Sequence, residues 1–320
     1  MPGGWIDVHG HFAAPGAGAR PKPIGGWQFA PETSIDYMAK SGVAAQLLSN
    51  YGPATPDAMI ASNSFGASLV AAYPKRFGLL AQLPMSEPQR AIAEIGRACD
   101  ELDAEGFAIQ SNYAGIWLGD PRFEPVWAEL DRRDAVLFIH PTPLGYDETR
   151  LGRPGALIEA PFDTARSVVD MLYAGVFRRH PRMKVILAHA GGALPALAGR
   201  LMTLGPHPLG WAANPNEITA AEMRATFARL YYDTALSGTP HTLDPVLDVT
   251  TPDHLLYGAD FGAPCTYISV CDQHLAALRG YARLSLEERE AVGTNALQLF
   301  PRLAQRIGGG VLDQPRAAAE

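Results

Sequence analysis

Eight short apolar segments, each separated from the next by a stretch with helical patterning, limit what this chain can fold into more than anything else in it. They cover residues 5–9, 43–49, 77–83, 107–111, 135–140, 185–189, 230–233 and 254–258. Most read as continuous hydrophobic runs, not as strict in–out alternation. That is the pattern of strands covered on both faces, as in a parallel sheet. Between them apolar residues recur at the 3.6-residue period: Ile92, Ile95, Cys99 and Leu102 share one face, as do Phe123, Val126, Trp127 and Leu130. Ala165, Val168, Val169, Leu172 and Val176 form a third stripe, with Asp163 as its expected N-cap and Gly175 near its end. Strands alternating with helices imply a parallel sheet, and eight such units predict closure into an α/β fold, the (β/α)8 TIM barrel. An open doubly wound sheet would carry a Gly-rich phosphate loop after its first strand, and "DVHGHF" is not one. The barrel is expected to be a single domain over residues 1–307, with insertions at about 13–31 and 205–226 and a loose tail at 308–320. The Gly/Pro-rich insertion at 13–31 is too long for an ordinary connection and is expected to lie over an active site.

Composition narrows the function classes. At 47% hydrophobic and 18% charged residues the chain can bury a large core, which excludes disorder for most of it. A net charge of −7 and the lack of a basic stripe argue against a nucleic-acid partner. No apolar run reaches membrane-spanning length, and "MPGGWIDVHGHF" lacks the basic start and apolar centre of a signal peptide. Cys99, Cys265 and Cys271 are odd in number with no C-x-x-C pair, so free thiols in a reducing, cytoplasmic setting are expected.

Five residues stand out by position. His9 and His11 lie two apart on the first strand and so share a face. His140 ends strand five, His189 ends strand six, and Asp260 follows strand eight. In a barrel all five gather at the C-terminal mouth, where sites of this fold are built. A single strand histidine is more often a satisfied core residue. Four histidines and an aspartate at strand ends are not explained that way, whereas His180, His207, His241 and His254 scatter and read as structural or solvent-facing. Three neutral imidazoles and one carboxylate suit one divalent metal ion, Zn²⁺ best, with Mn²⁺ or Fe²⁺ admissible. Taking His9, His11, His140 and Asp260 as ligands leaves His189 beside them as a base or hydrogen-bond donor.

The motifs "IDVHGH" at 6–11, "HP" at 140–141, "ILAHAGGALP" at 186–195, "YGADFGAP" at 257–264 and "NALQLF" at 295–300 resemble the amidohydrolase superfamily. Within it they resemble the decarboxylase branch of aminocarboxymuconate-semialdehyde, salicylate- and resorcylate-type decarboxylases. The stretch 159–181 is most similar to 6-methylsalicylate decarboxylases. The resemblance implies the same four metal ligands and His189 as catalytic histidine. It also implies a homodimer and non-oxidative decarboxylation of a hydroxylated aromatic carboxylic acid to CO₂ and a phenol, with no nucleic acid or membrane partner. Strand four ends "FAIQSN" without a Lys, so a mononuclear site is expected. Where the aminocarboxymuconate enzymes place a substrate-binding Arg after strand two, this chain reads "SNYGPATPDA", which points to a monocarboxylated phenol. Arg166 is a second candidate for the substrate, though a surface pairing suits it better. Phe12, Trp27, Tyr51, Trp117 and Phe261 are candidates for an aromatic pocket. Hydrolysis of a lactone, ester or amide on the same site is the alternative, and a non-catalytic metal- or ligand-binding barrel is a third reading.

Overall fold

A computed structural model describes residues 4–14, 29–51, 55–142, 153–207, 214–262 and 267–308. Eight parallel strands run in hydrogen-bonded order: β1 (Trp5–His11), β2 (Val43–Ser49), β3 (Phe77–Gln82), β4 (Gly106–Gln110), β5 (Val136–His140), β6 (Lys184–Leu187), β7 (Tyr231–Asp233) and β8 (Leu255–Leu256). Backbone bonds from Val8 to the Tyr257 carbonyl (2.9 Å) and from His11 to the Phe261 carbonyl (2.8 Å) join the last strand to the first. The predicted (β/α)8 barrel therefore forms. Helices cover its outside, and Pro31, Pro56, Pro88 and Pro240 stand at helix starts, where the missing N–H leaves no bond unmade.

Two apolar layers hold the barrel. Strand residues of one parity, among them Leu79, Ile109, Leu137 and Leu187, pack against helix residues such as Ile95, Trp127 and Val168. Residues of the other parity fill the lumen: Ile6, Val8, Leu47, Leu80, Ala108, Phe138, Ile186 and Leu256. Leu299, Phe300 and Leu303, from the last two short helices, join this inner cluster and stop the bottom of the barrel. With one end plugged by side chains worth roughly 1.5–3 kcal/mol each when buried, only the C-terminal mouth is left for polar chemistry.

Two expectations need correction. Asp163 is not an N-cap, because its helix starts one turn earlier (Glu159–Tyr173) and buries the Asp163 carboxylate. That carboxylate accepts hydrogen bonds from Ser111 Oγ and from Asn112 Nδ2 (2.8 Å), tying the end of β4 to the helix. His189 lies past the end of β6 in a 3-10 turn, and His254 lies in a similar turn before β8. The stretch 205–226 runs into the barrel helix Ala220–Arg229, which opens on a Thr219–Glu222 capping box and leads into β7. Residues 15–28 of the first insertion, 208–213 of the second and 309–320 of the tail lie outside the described residues, as do Trp27 and Cys265. Among the described residues no helix is long and apolar enough to cross a membrane.

Candidate metal centre at the barrel mouth

The placement of His9 and His11 depends on a defect in β1. Ile6 and Val8 face the lumen, so unbroken alternation would turn both histidines outward. The pairing with β2 slips between Asp7, opposite Gln46, and Gly10, opposite Leu48, which puts one extra residue into β1. That bulge reverses the parity and brings both imidazoles inside. At Gly10 β1 runs so close to Gln46 that a Cβ would lie 2.3 Å from its side chain, so only glycine fits between the two histidines.

The hydrogen bonds then fix what each ring presents. His9 Nδ1 lies 2.7 Å from Asp233 Oδ2 and donates its proton there, leaving the Nε2 lone pair facing the mouth. Ser49 gives its single proton to the Gly10 carbonyl (3.2 Å), so its oxygen accepts from His11 Nδ1 (3.2 Å) and again Nε2 is left with its lone pair. The two Nε2 atoms stand 3.2 Å apart, and Asp260 Oδ1 lies 3.0 Å from that of His11 and 3.4 Å from that of His9. His140 faces both rings at centroid distances of 5.1 Å, and both its nitrogens are buried with no hydrogen-bond partner among the described residues. One ligand atom from each of His9, His11, His140 and Asp260 lies within 4.8 Å of the others. Buried lone pairs aimed at one another repel unless a cation lies among them, so this group fits a bound metal ion.

Electrostatics point the same way. Burial pushes the His140 imidazole well below its usual range, helped by charge on His11 and His9, so the ring stays neutral. Burial also opposes charge on His9, but Asp233 and Asp260 outweigh it and push that ring up to about 9. A proton and a divalent cation therefore compete for the same nitrogen. At Asp260 burial acts to raise the carboxyl, yet His9, His11 and His189 together hold it far below the usual carboxylate range.

His189 stands next to this group, its ring 4.9 Å from that of His9 and 5.8 Å from that of His140. Its Nδ1 donates to the Ala235 carbonyl (3.2 Å), which turns Nε2 away from that carbonyl. Both His189 and Asp260 have left-handed backbones (φ 54° and 56°), uncommon for residues other than glycine and frequent at functional sites.

Three supporting residues gave no signal in the sequence pattern. Asp233, at the end of β7, accepts from His9 Nδ1 and from the backbone N–H of His189 (2.8 Å) and Ala235 (2.9 Å). Asp7 accepts from Gln46 Nε2 (2.7 Å) and from the backbone of His9 (2.9 Å) and Ala259 (3.0 Å), tying β1, β2 and the β8 end together. Burial pushes its carboxyl up to about 6 in spite of those bonds. His274 is buried behind the mouth, stacked on Tyr257 and held neutral by burial, which lowers it to about 4. The last strand residue of β7 looked like one more apolar-run boundary, and His274 sits inside a helix.

Among the described residues, Tyr51 is the aromatic candidate that stacks on the donor group, 4.3 Å from His140. Phe12 and Phe261 are core residues, packed on Phe29 and Tyr37. Trp117 sits half-buried in a two-stranded ribbon after β4. Arg166 is exposed on its helix and engaged in a contact of its own.

The amidohydrolase family pattern matches residues 6–302. The 6-methylsalicylic acid decarboxylase acuB of Aspergillus aculeatus is 34% identical over 340 residues, spanning 96% of this chain and 98% of its own. The 6-methylsalicylic acid decarboxylase of Penicillium expansum is 32% identical over 338 residues, spanning 97% and 99%. A dihydroxybenzoic acid decarboxylase from a Polaromonas species, crystallised with manganese and the inhibitor 2-nitroresorcinol, superimposes with a TM-score of 0.78 over 93% of this chain and 97% of its own. At 22% identity that likeness speaks to the fold alone.

Proposed function

Because the chain belongs to the amidohydrolase family, we propose that it is a metal-dependent, non-oxidative decarboxylase of a hydroxylated aromatic carboxylic acid of the salicylate type. The observation that carries this reading is the convergence of buried lone pairs from His9, His11, His140 and Asp260 at the barrel mouth. The same donors would serve hydrolysis of a lactone, ester or amide. Two relatives that are 6-methylsalicylic acid decarboxylases over almost their whole length favour carbon–carbon cleavage.

His9, His11, His140 and Asp260 would hold one divalent ion. When bound, that ion supplies Lewis acidity that gathers the negative charge of the substrate carboxylate and the neighbouring phenol oxygen. The three-imidazole, one-carboxylate set suits Zn²⁺ and admits Mn²⁺, the metal of the Polaromonas enzyme.

Loss of CO₂ from an aromatic ring stalls because the departing electron pair has no acceptor. Protonating the ring carbon that bears the carboxylate provides one. Asp260 is ionised in the resting site, so it must first accept the proton that it later delivers. The substrate phenol is the nearest source. In the proposed step Asp260 Oδ2, the oxygen not engaged by His9 and His11, takes the phenol proton and passes it to the ring carbon. The carbon–carboxylate bond then breaks, its electron pair restores the aromatic ring, and CO₂ and the phenolate leave. Atoms and charge balance without an oxidant. His189, its Nδ1 tied to a carbonyl, steadies the substrate or a water from Nε2. The exposed Leu157, Ile158, Phe162, Leu236, Tyr267 and Ile268, on connections after β5, β7 and β8, support the further reading that the protein is a homodimer joined at this rim. Sedimentation as a monomer would count against that part.

The test is direct. Protein reconstituted with Zn²⁺ or Mn²⁺ is expected to convert salicylate or 6-methylsalicylate to CO₂ and the matching phenol, to lose that activity to a chelator, and to regain it on metal return. Turnover of a lactone panel with no CO₂ from any aromatic acid would overturn the proposal in favour of hydrolysis.

A further inference from the structure

At the inner side of the barrel, two buried polar side chains are left without partners among the described residues. The Tyr51 hydroxyl is one of them: it is buried and makes no hydrogen bond among the described residues. Its ring is stacked on His140 (4.3 Å, 21° between planes) and stands edge-on to His11 at 5.6 Å, so the phenol belongs to the mouth and not to the outer core. Ser49 is near enough to influence it, but the Ser49 hydrogen bonds go to Gly10 and His11.

Gln82 is the other. It ends β3, is 1% exposed, and both its amide atoms are buried and unpartnered among the described residues. Leu80, two residues earlier, faces the lumen, so Gln82 does as well. Its backbone is clamped to Asn63 on the outer helix by two bonds of 2.8 and 2.9 Å, which fixes where the side chain starts. The β2–β3 register pairs Leu48 with Leu79, and carrying it on by three residues brings Tyr51 level with Gln82.

A buried hydroxyl and a buried amide without partners cost about 1–3 kcal/mol each, a penalty removed when a ligand supplies the missing bonds. Both are neutral donors: Gln82 ends β3, Tyr51 follows β2 by two residues, and the Tyr51 ring lies against His11 and His140. We propose that Tyr51 and Gln82 are the substrate-anchoring pair of this site, donating hydrogen bonds from the phenol O–H and the amide Nε2 to the carboxylate of a hydroxylated aromatic monoacid. This rests on the decarboxylase reading for the identity of the ligand. Neutral donors satisfy one carboxylate already beside a cation. A second carboxylate buried there would meet no opposite charge, so the pair selects against dicarboxylated rings.

The experiment uses metal-reconstituted protein and two nearly isosteric variants, Tyr51→Phe and Gln82→Met, with salicylate binding read by calorimetry and turnover measured in parallel. Each variant is expected to raise the salicylate Kd and KM by about 10- to 100-fold, with kcat within a few-fold of wild type, since the bonds are made alike in ground and transition states. Metal content and Tm should match wild type, which separates anchoring from a packing role. Wild type should bind 4-hydroxyisophthalate at least about tenfold more weakly than salicylate. Variants that bind and turn over salicylate as wild type does would overturn the anchoring pair while leaving the decarboxylase reading in place. Wild-type protein that binds salicylate tightly yet releases no CO₂ would sink that reading and leave the pair to be judged on the binding data. Protein that binds no aromatic acid at all would remove both.

Discussion

An Asp260→Asn variant is expected to release CO₂ from a salicylate-type acid about 10³- to 10⁴-fold more slowly than wild type, the upper part of the range for loss of a positioned acid–base group. The expectation follows from the two tasks that the geometry puts on one side chain. Oδ1 lies 3.0 Å from His11 Nε2 and 3.4 Å from His9 Nε2, so it helps to build the cation site. Oδ2 is the atom left to carry a proton to the ring. The amide keeps an oxygen that still coordinates, although more weakly than a carboxylate, but its nitrogen cannot take up and return a proton. Measuring CO₂ release at saturating metal, with metal content recorded alongside, separates the two losses. A variant that carries a full complement of metal and is inert places the defect in proton transfer. Near-normal CO₂ release from such a variant would refute Asp260 as the proton carrier. Fold loss is not expected to confuse the result, because Asp260 lies on a segment held by other bonds, including Ala259 N–H to Asp7 and Phe261 to β1.

Much of this site was legible in the sequence because barrels gather strand ends. His140 closes a run of apolar residues whose parity the lumen dictates, and "VLFIH" states that directly. Asp260 and His189 are displaced from their strands by short turns, yet the barrel mouth is wide enough for the displacement not to matter. His9 and His11 were correctly expected inside, but alternation alone does not account for it. Ile6 and Val8 take the inward parity, and a bulge that no residue pattern announces turns the histidines in after them. Asp163 shows the opposite failure: an acidic residue before an apolar stripe signals a cap, but the Ser111 hydroxyl and the Asn112 amide after β4 claim its carboxylate. Local pattern reads well where the fold repeats it. It fails where a contact from far along the chain decides, as it does for Asp7 with Gln46 and Ala259, and for Asp233 with His9, 224 residues away.

Asp233 is where that blind spot has the largest consequence. Its carboxylate accepts three hydrogen bonds, from His9 Nδ1 and from the backbone N–H of His189 and Ala235. In Asp233→Asn the single oxygen can serve the two backbone donors, which leaves the amide N–H₂ facing His9 Nδ1. Two donors cannot share that contact, so the imidazole must change tautomer, accept at Nδ1 and carry its proton on Nε2. Nε2 is the atom aimed at His11 and Asp260, and protonated it has no lone pair for a metal. Metal affinity is therefore expected to fall by about 10- to 100-fold, the usual cost of losing a group that orients a ligand histidine. The metal-free protein should keep a Tm within a few degrees of wild type, because the two backbone donors keep their oxygen and the new amide donates to His9 Nδ1 after the tautomer change. Competition against a chromophoric chelator gives the affinity, and calorimetry of the stripped protein gives the Tm. Unchanged metal affinity would mean that His9 presents Nε2 for some other reason, whereas a collapsed Tm would mark Asp233 as structural first. The predicted combination of weakened metal binding on an intact fold is the signature of a carboxylate whose work is to decide which nitrogen of His9 carries the proton.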